Sequence, residues 1–142
     1  MNSKCLQSLG FVVLLLFLCS CNAAKHKELA EAAVGEFRAQ FNSEQYHAMY
    51  VSADDGLRKA ASEADFVALM QALHGKLGKA QQSHLRYYVD GRATAVNGPL
   101  LTLVYDTSFA SGPGTERFVW HIRDKRAILF AYNVNSDALI TK

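Results

Sequence analysis

The sequence predicts an α+β domain in which helices come first and an antiparallel sheet follows. Apolar residues recur at helical spacing up to Gly78, and beyond Gly78 they alternate with polar residues at the period of two that strands show. The chain has 142 residues, half of them apolar, with 15 basic and 13 acidic side chains. One packed domain is therefore expected. So small a net charge disfavours a nucleic-acid binder, which must neutralise many phosphates.

The chain is predicted to begin with a leader peptide. Lys4 precedes an uncharged apolar run from Leu9 to Leu18, which has the length of a signal-peptide core, whereas a membrane span needs about 20 apolar residues. The next residues, Leu18-Cys19-Ser20-Cys21, resemble the lipobox of bacterial lipoproteins. That resemblance implies cleavage before Cys21, acylation of its thiol with palmitate-type chains, and anchoring in the cell envelope. An ordinary secretory signal cut near Ala24, or a spanning anchor, is the alternative.

The resemblance divides the chain into three parts. Residues 1–20 are the lipoprotein signal peptide, residues 21–26 are the acylated cysteine with a short tether, and residues 27–142 are the folded domain. All three cysteines, Cys5, Cys19 and Cys21, precede the domain, so no disulfide or thiolate metal site is expected within it. Asn22 follows the cysteine where retention in the inner membrane is associated with Asp. The resemblance therefore favours the outer membrane over the inner membrane as the anchor, with the domain on the periplasmic face.

Three helices are predicted in the first half of the domain. The first runs from Lys25 to Phe41, and a short second helix follows Ser43. The third runs from Ser62 to Leu77, since it opens with a Ser-x-x-acid capping box and stops at Gly78. The apolar stripe of the first helix consists of Leu29, Ala33, Phe37 and Phe41.

Four strands are predicted after Gly78, joined as an antiparallel meander. Turn chemistry at residues 97–99, 111–114 and 124–125 separates the strands. The alternation predicts which side chains share a face of each strand. These are Leu85, Tyr87 and Val89 in the first strand; Glu116, Phe118, Trp120 and Ile122 in the third; and Ile128, Phe130, Tyr132 and Val134 in the fourth.

Several segments resemble small envelope proteins with an NTF2-like (cystatin-like) fold: SEADFVALM, LLTLVYDTSF and FVWHIRDKRAILFAYNVNSDAL. The resemblance implies three N-terminal helices packed on a curved four-stranded meander sheet, forming a cone with a pocket at its open end. Members of the superfamily bind small molecules or proteins, or act as isomerases and dehydratases. They often pair through their sheets, so a homodimer is also expected.

Asp106 and His121 are the candidates for acid-base chemistry. Asp106 interrupts an apolar strand, His121 shares a strand face with Val119, and an inward-pointing carboxylate and imidazole could share a pocket. Solvated positions on the outer face are the alternative. Tyr87, Tyr105, Trp120 and Tyr132 are the candidates for lining a ligand pocket, and filling the core is their alternative role. The five histidines show no paired metal-binding spacing, so no metal or cofactor is expected.

The leading hypothesis is a non-enzymatic lipoprotein that faces the periplasm and binds a protein or a small ligand. One version is an immunity protein that blocks an antibacterial toxin. The alternatives are a small pocket enzyme with isomerase-like or dehydratase-like chemistry, and an accessory component of an envelope complex.

Overall fold

The computed structural model describes the backbone of residues 3–94 and 98–140, and the side chains of residues 23–91 and 98–140. The described elements are α1 (Ser3–Asn42), α2 (Tyr46–Val51), α3 (Asp55–Ala60), α4 (Glu63–Leu77), β1 (Ala80–Thr94), β2 (Gly98–Phe109), β3 (Gly112–Arg123), β4 (Arg126–Asn135) and a terminal 3-10 turn (Asp137–Leu139). The predicted α+β class is confirmed, and the four strands form one antiparallel sheet in the order β1-β2-β3-β4.

Helix α1 is continuous through residues 21–26, which were predicted as a tether. The predicted signal peptide and the Cys21 thiol lie outside the residues whose side chains are described. No helix in the described part of the chain is both long and apolar enough to cross a membrane.

Four helices precede the sheet, one more than the three predicted. The missed helix, α3, has no buried residue and therefore produces no apolar period. Its N-cap is Asp54, whose side chain accepts a hydrogen bond from the Gly56 amide at 2.8 Å. The cap of α4 was predicted correctly, since the Ser62 hydroxyl accepts from the Asp65 amide at 3.2 Å.

The core lies between one face of the sheet and the helices. Helix α1 buries Phe37 and Phe41, as predicted, and the sheet opposes them with Phe118 and Trp120. Leu29 and Ala33 of the predicted stripe are only partly buried against this core. The most deeply buried line on α1 consists of Ala30, Val34, Phe37 and Phe41.

Strand β1 contains three register shifts and the pairing of β3 with β4 contains one, and one shift in each edge strand changes the predicted faces. In β1, Leu85 is opposite Tyr105 but Tyr87 is opposite Val104, so Arg86 is an extra residue, a β-bulge. Leu85 lies on the face toward the helices, whereas Tyr87 lies on the opposite, outer face. The predicted grouping of Leu85 with Tyr87 and Val89 was therefore wrong.

The irregularity in β4 lies where Trp120 is opposite Leu129 but Val119 is opposite Ala131. Phe130 is the extra residue. Leu129 is consequently buried with the core, while Tyr132 and Val134 regain the inner face beyond the bulge. The prediction that Ile128 and Phe130 share a face with Tyr132 was wrong for the same reason.

Candidate functional site

The aromatic residues predicted to line a pocket divide between the two faces of the sheet. Tyr105, Trp120 and Tyr132 lie on the inner face, where Phe118 stacks on Trp120 with ring centroids 5.9 Å apart and contacts Tyr132 at 5.0 Å. Tyr87 is separated from them by the bulge and is exposed on the outer face. Three of the four candidates therefore meet around Phe118, which contacts the ring of each.

A buried ion pair that was not predicted lies beside these rings. Glu116 of β3 is only 1% exposed, and Arg38 of α1 donates to its Oε2 from Nη2 at 2.6 Å and from Nε at 3.1 Å. The guanidinium lies over the Tyr105 ring, 4.6 Å from its centroid, which adds a cation-π contact. Helix and sheet are thus joined by charge as well as by apolar packing.

The remaining hydrogen-bonding groups around Glu116 are also paired. The Thr107 hydroxyl donates to Oε2 at 2.6 Å, and the Tyr132 hydroxyl donates to Oε1 at 2.8 Å. Arg38 also donates to the Ser83 hydroxyl at 2.5 Å. Burial and the negative charge of Glu116 raise the pKa of Tyr132 well above its ordinary value. Such a satisfied network fixes the packing of α1 on the sheet.

The sequence contained a signal for one member of this pair. Glu116 alternates with Phe118, Trp120 and Ile122 on the face predicted to be buried, and a carboxylate in such a line requires a partner. Arg38 gave no comparable signal, because it stands beside the apolar stripe of α1 like an exposed helix residue.

His121, one of the two acid-base candidates, is buried and paired with a residue that was not predicted. Its Nδ1 lies 2.9 Å from Oδ2 of Asp54, and Arg123 donates to the same oxygen at 2.7 Å. Burial by itself raises the pKa of Asp54, but the Gly56 amide, His121 and Arg123 outweigh it, so the pKa lies below its ordinary value. The Nε2 atom of His121 is buried without a partner among the described residues.

Asp106, the other candidate, lies on the outer face in a bidentate ion pair with Arg86, at 2.5 and 3.0 Å. In the register Asp106 is opposite Thr115, six positions from His121 along β3, which corresponds to about 20 Å at 3.3 Å per residue. The structure therefore does not bring Asp106 and His121 together, and each has a different partner.

Among the described side chains, no three histidine, cysteine or acidic residues converge as metal ligands. Comparison with models of known protein families found no match for this chain, and comparison with curated proteins found none. The arrangement of its own residues is therefore the basis for a functional proposal.

Proposed function

We propose that this protein is a lipid-anchored, periplasm-facing lipoprotein with an NTF2-like domain, and that it binds a protein partner through strand β1. The observation that carries the proposal is a run of three exposed large side chains on this edge strand. Tyr87, Tyr88 and Val89 are 51%, 47% and 54% exposed. Consecutive exposed apolar residues on an edge strand are unfavourable in water unless a partner covers them.

The backbone of β1 supports the same proposal. Among the described strands, β1 pairs with β2 alone, so its other edge presents amide and carbonyl groups along a 15-residue strand. Among the contacts of the described residues, only those of Ala80, the first residue of β1, fill this edge, because Asn42 bonds to both its amide and its carbonyl at 2.8 Å. An extended segment of another protein can add to such an edge by main-chain hydrogen bonds.

The bulge at Arg86 places apolar side chains on both faces of this edge. Tyr87 and Val89 lie on the outer face, since they are opposite Val104 and Thr102. Tyr88 lies on the helix side, where the Lys27 ammonium is 5.7 Å from its ring centroid. A bound strand alternates its own side chains between the same two faces. We therefore expect a partner segment with apolar residues at successive positions.

The geometry favours binding over the enzymatic alternative. That alternative required Asp106 and His121 to act on one substrate, but Asp106 is engaged by Arg86 on the outer face and His121 by buried Asp54. Of the aromatic pocket candidates, Tyr105 and Trp120 are buried in the core and Tyr132 packs against it.

The test uses the acylated protein extracted from its own cells. Native mass spectrometry is expected to show a protein partner at fixed stoichiometry, and hydrogen exchange of β1 amides is expected to slow in the complex. Replacing Tyr87 and Val89 with serine should release the partner. The control is Leu69→Ser, because Leu69 on α4 is 52% exposed and lies away from β1. Failure to recover a partner, unchanged exchange in β1, or equal release by the control would each contradict binding at this edge.

The anchor is tested separately by labelling cells with a palmitate analogue. Label is expected on the wild-type protein and on Cys19→Ala, which keeps a small residue within the lipobox, and is expected to be lost in Cys21→Ser. Label retained by Cys21→Ser would refute acylation there. The immunity version predicts that the anchored protein protects a sensitive cell from a toxin encoded beside its gene, and absence of protection would refute that version.

A further inference from the structure

Helix α1 distinguishes the two ends of the sheet. Near its start, Lys25 lies beside the β3–β4 turn, whereas Asn42 at its end bonds to the first residue of β1 at the opposite end of the sheet. The helix is continuous from Cys21, and at about 1.5 Å per residue Lys25 lies about 6 Å along the axis from that cysteine. The end of the sheet at residues 122–125 is therefore the anchor end, since an acyl chain on Cys21 holds it next to a bilayer.

An open groove of about 680 Å³ lies between α1 and the sheet at the anchor end. Its apolar walls include Leu29 of α1 with Pro99 and Ile122 of the sheet. Lys25 and Lys125 line the same groove and are exposed. Lysine covers apolar surface with its aliphatic stem while its ammonium group stays in the polar layer, so this composition suits the boundary between headgroups and acyl chains.

The two lysines are not neutralised within the fold. Glu28 and Asp124 also line the groove, but among the described residues neither Lys25 nor Lys125 forms an ion pair. Arg123, by contrast, is already paired. Lys25 lies closer to the anchor than the screening length of about 8 Å at physiological ionic strength, so its charge acts on headgroups at the bilayer surface.

Lys125 occupies a backbone position that glycine would fill more favourably. Asp124 and Lys125 have φ of 51° and 58°, as the two central residues of the tightest hairpin turns do. Aspartate is one of the few side chains that tolerate this region, whereas lysine rarely adopts it. The chain thus keeps a cation at the tip of this turn against backbone preference, and such strain is concentrated at functional positions.

We infer that the anchor end of the domain lies against anionic phospholipid of the membrane that holds the acyl chain. Lys25 and Lys125 contact headgroup phosphates, and the apolar walls of the groove receive the adjoining part of a phospholipid acyl chain. This inference rests on the proposed acylation of Cys21, because the anchor brings this end of the domain to the bilayer. Tyr87, Tyr88 and Val89 do not line the groove, so the β1 edge stays available to a protein partner.

The test places a fluorescent label at each end of the sheet. The acyl mass of the purified protein is measured first by mass spectrometry, and the protein is then placed in vesicles of phosphatidylcholine and phosphatidylglycerol. All three cysteines precede the domain, so one cysteine introduced into the acylated mature chain is labelled alone. The two prolines give matched sites, because Pro99 lines the groove and Pro113 follows the β2–β3 turn at the opposite end. Nitroxide-bearing lipid should quench a label on Pro99→Cys at least threefold more than one on Pro113→Cys.

Charge variants then test the lysines. Replacing both Lys25 and Lys125 with glutamine should reduce quenching of the Pro99→Cys label at least twofold, and so should vesicles of phosphatidylcholine alone. The matched control is Lys79→Gln, an exposed lysine beside the β2–β3 turn, which should leave quenching unchanged. Lys125→Gly should also reduce quenching, yet its thermal midpoint should equal or exceed that of wild type, because glycine adopts positive φ freely.

The outcomes separate this inference from the anchor. A protein without the acyl mass would refute the anchor and this inference together. An acylated protein with equal quenching at the two prolines would overturn this inference and leave the anchor standing. Quenching that is indifferent to both lysines and to phosphatidylglycerol would do the same.

Discussion

Replacing Arg38 with leucine removes the cation from the most buried carboxylate of the described core. Glu116 is 1% exposed and Arg38 has 15% of its side chain exposed, so solvent screens this pair little. Breaking a buried ion pair by removing one partner costs about 3–5 kcal/mol, because the remaining charge is left uncompensated. Thr107 and Tyr132 continue to donate to Glu116, so we expect a value near 3 kcal/mol.

The assay is urea unfolding followed by circular dichroism and by Trp120 fluorescence. With a denaturant dependence of about 1–3 kcal/mol per molar urea, a loss of 3 kcal/mol lowers the midpoint by about 1–3 M. The control is Arg86→Leu, which breaks an ion pair of the same chemistry on the outer face, where both partners are about half exposed. We expect no resolvable midpoint change there, because exposed pairs contribute little.

A double-mutant cycle separates charge from packing. Glu116→Leu combined with Arg38→Leu leaves no unpaired charge, so the double variant should lose less stability than the two single losses added together. Additive losses, or a loss below about 1 kcal/mol for Arg38→Leu alone, would refute the argument that this pair is coupled and desolvated.

Two further predictions concern Asp54, the N-cap of α3, and Gly78, the glycine that ends α4. Burial raises the pKa of Asp54, but the Gly56 amide, His121 and Arg123 lower it further, so the pKa lies below its ordinary value. The ionised Asp54 carboxylate therefore stabilises the fold above the unfolded-state pKa of about 3.9. This stabilisation is lost as the pH falls through the lower pKa of the folded state. The difference in unfolding free energy between wild type and Asp54→Asn should therefore shrink between pH 6 and pH 3 in urea titrations, and a difference that grows in acid would contradict this. Gly78 has φ +70°, and an added Cβ would lie 2.7 Å from that of Ala110, so Gly78→Ala should cost about 1–3 kcal/mol. Gly75→Ala in α4, where a Cβ meets nothing within 4 Å, should instead stabilise by about 0.5–1 kcal/mol; thermal melts of the two variants should shift in opposite directions, and equal shifts would contradict the argument.

The parts of the fold that the sequence predicted are those governed by local rules. The capping box at Ser62 and the positive φ at Gly78 mark the ends of α4, because capping and left-handed backbone depend on nearby residues alone. The change of apolar period after Gly78 likewise identified the sheet. Helix α3 was missed because it buries no side chain, so only its cap at Asp54 distinguishes it from a loop.

The candidate site depends on contacts between distant residues, which periodicity does not encode. Glu116 could be placed on the buried face, but its partner Arg38 lies 78 positions away on α1. His121 was identified as a candidate, yet Asp54 reaches it only because the Asp54 amide donates to the Leu129 carbonyl at 2.8 Å, which fixes the loop against β4. Such pairings follow from the tertiary arrangement of the helices on the sheet.

The bulge at Arg86 was not predicted from the alternation pattern, and it determines which way the side chains of the proposed binding edge point. Without this extra residue, Tyr87 and Val89 would share the inner face with Leu85 and face the helices. The bulge turns both side chains outward and leaves Tyr88 on the helix side, so an apolar surface lies on both faces of one open edge. At the opposite edge, the Asp54 amide already bonds to β4 at Leu129. Asn42 likewise bonds β1 at Ala80, so the chain holds each edge at one residue. The edge at β1 differs in carrying three consecutive large exposed side chains, which is why we place the protein partner on β1.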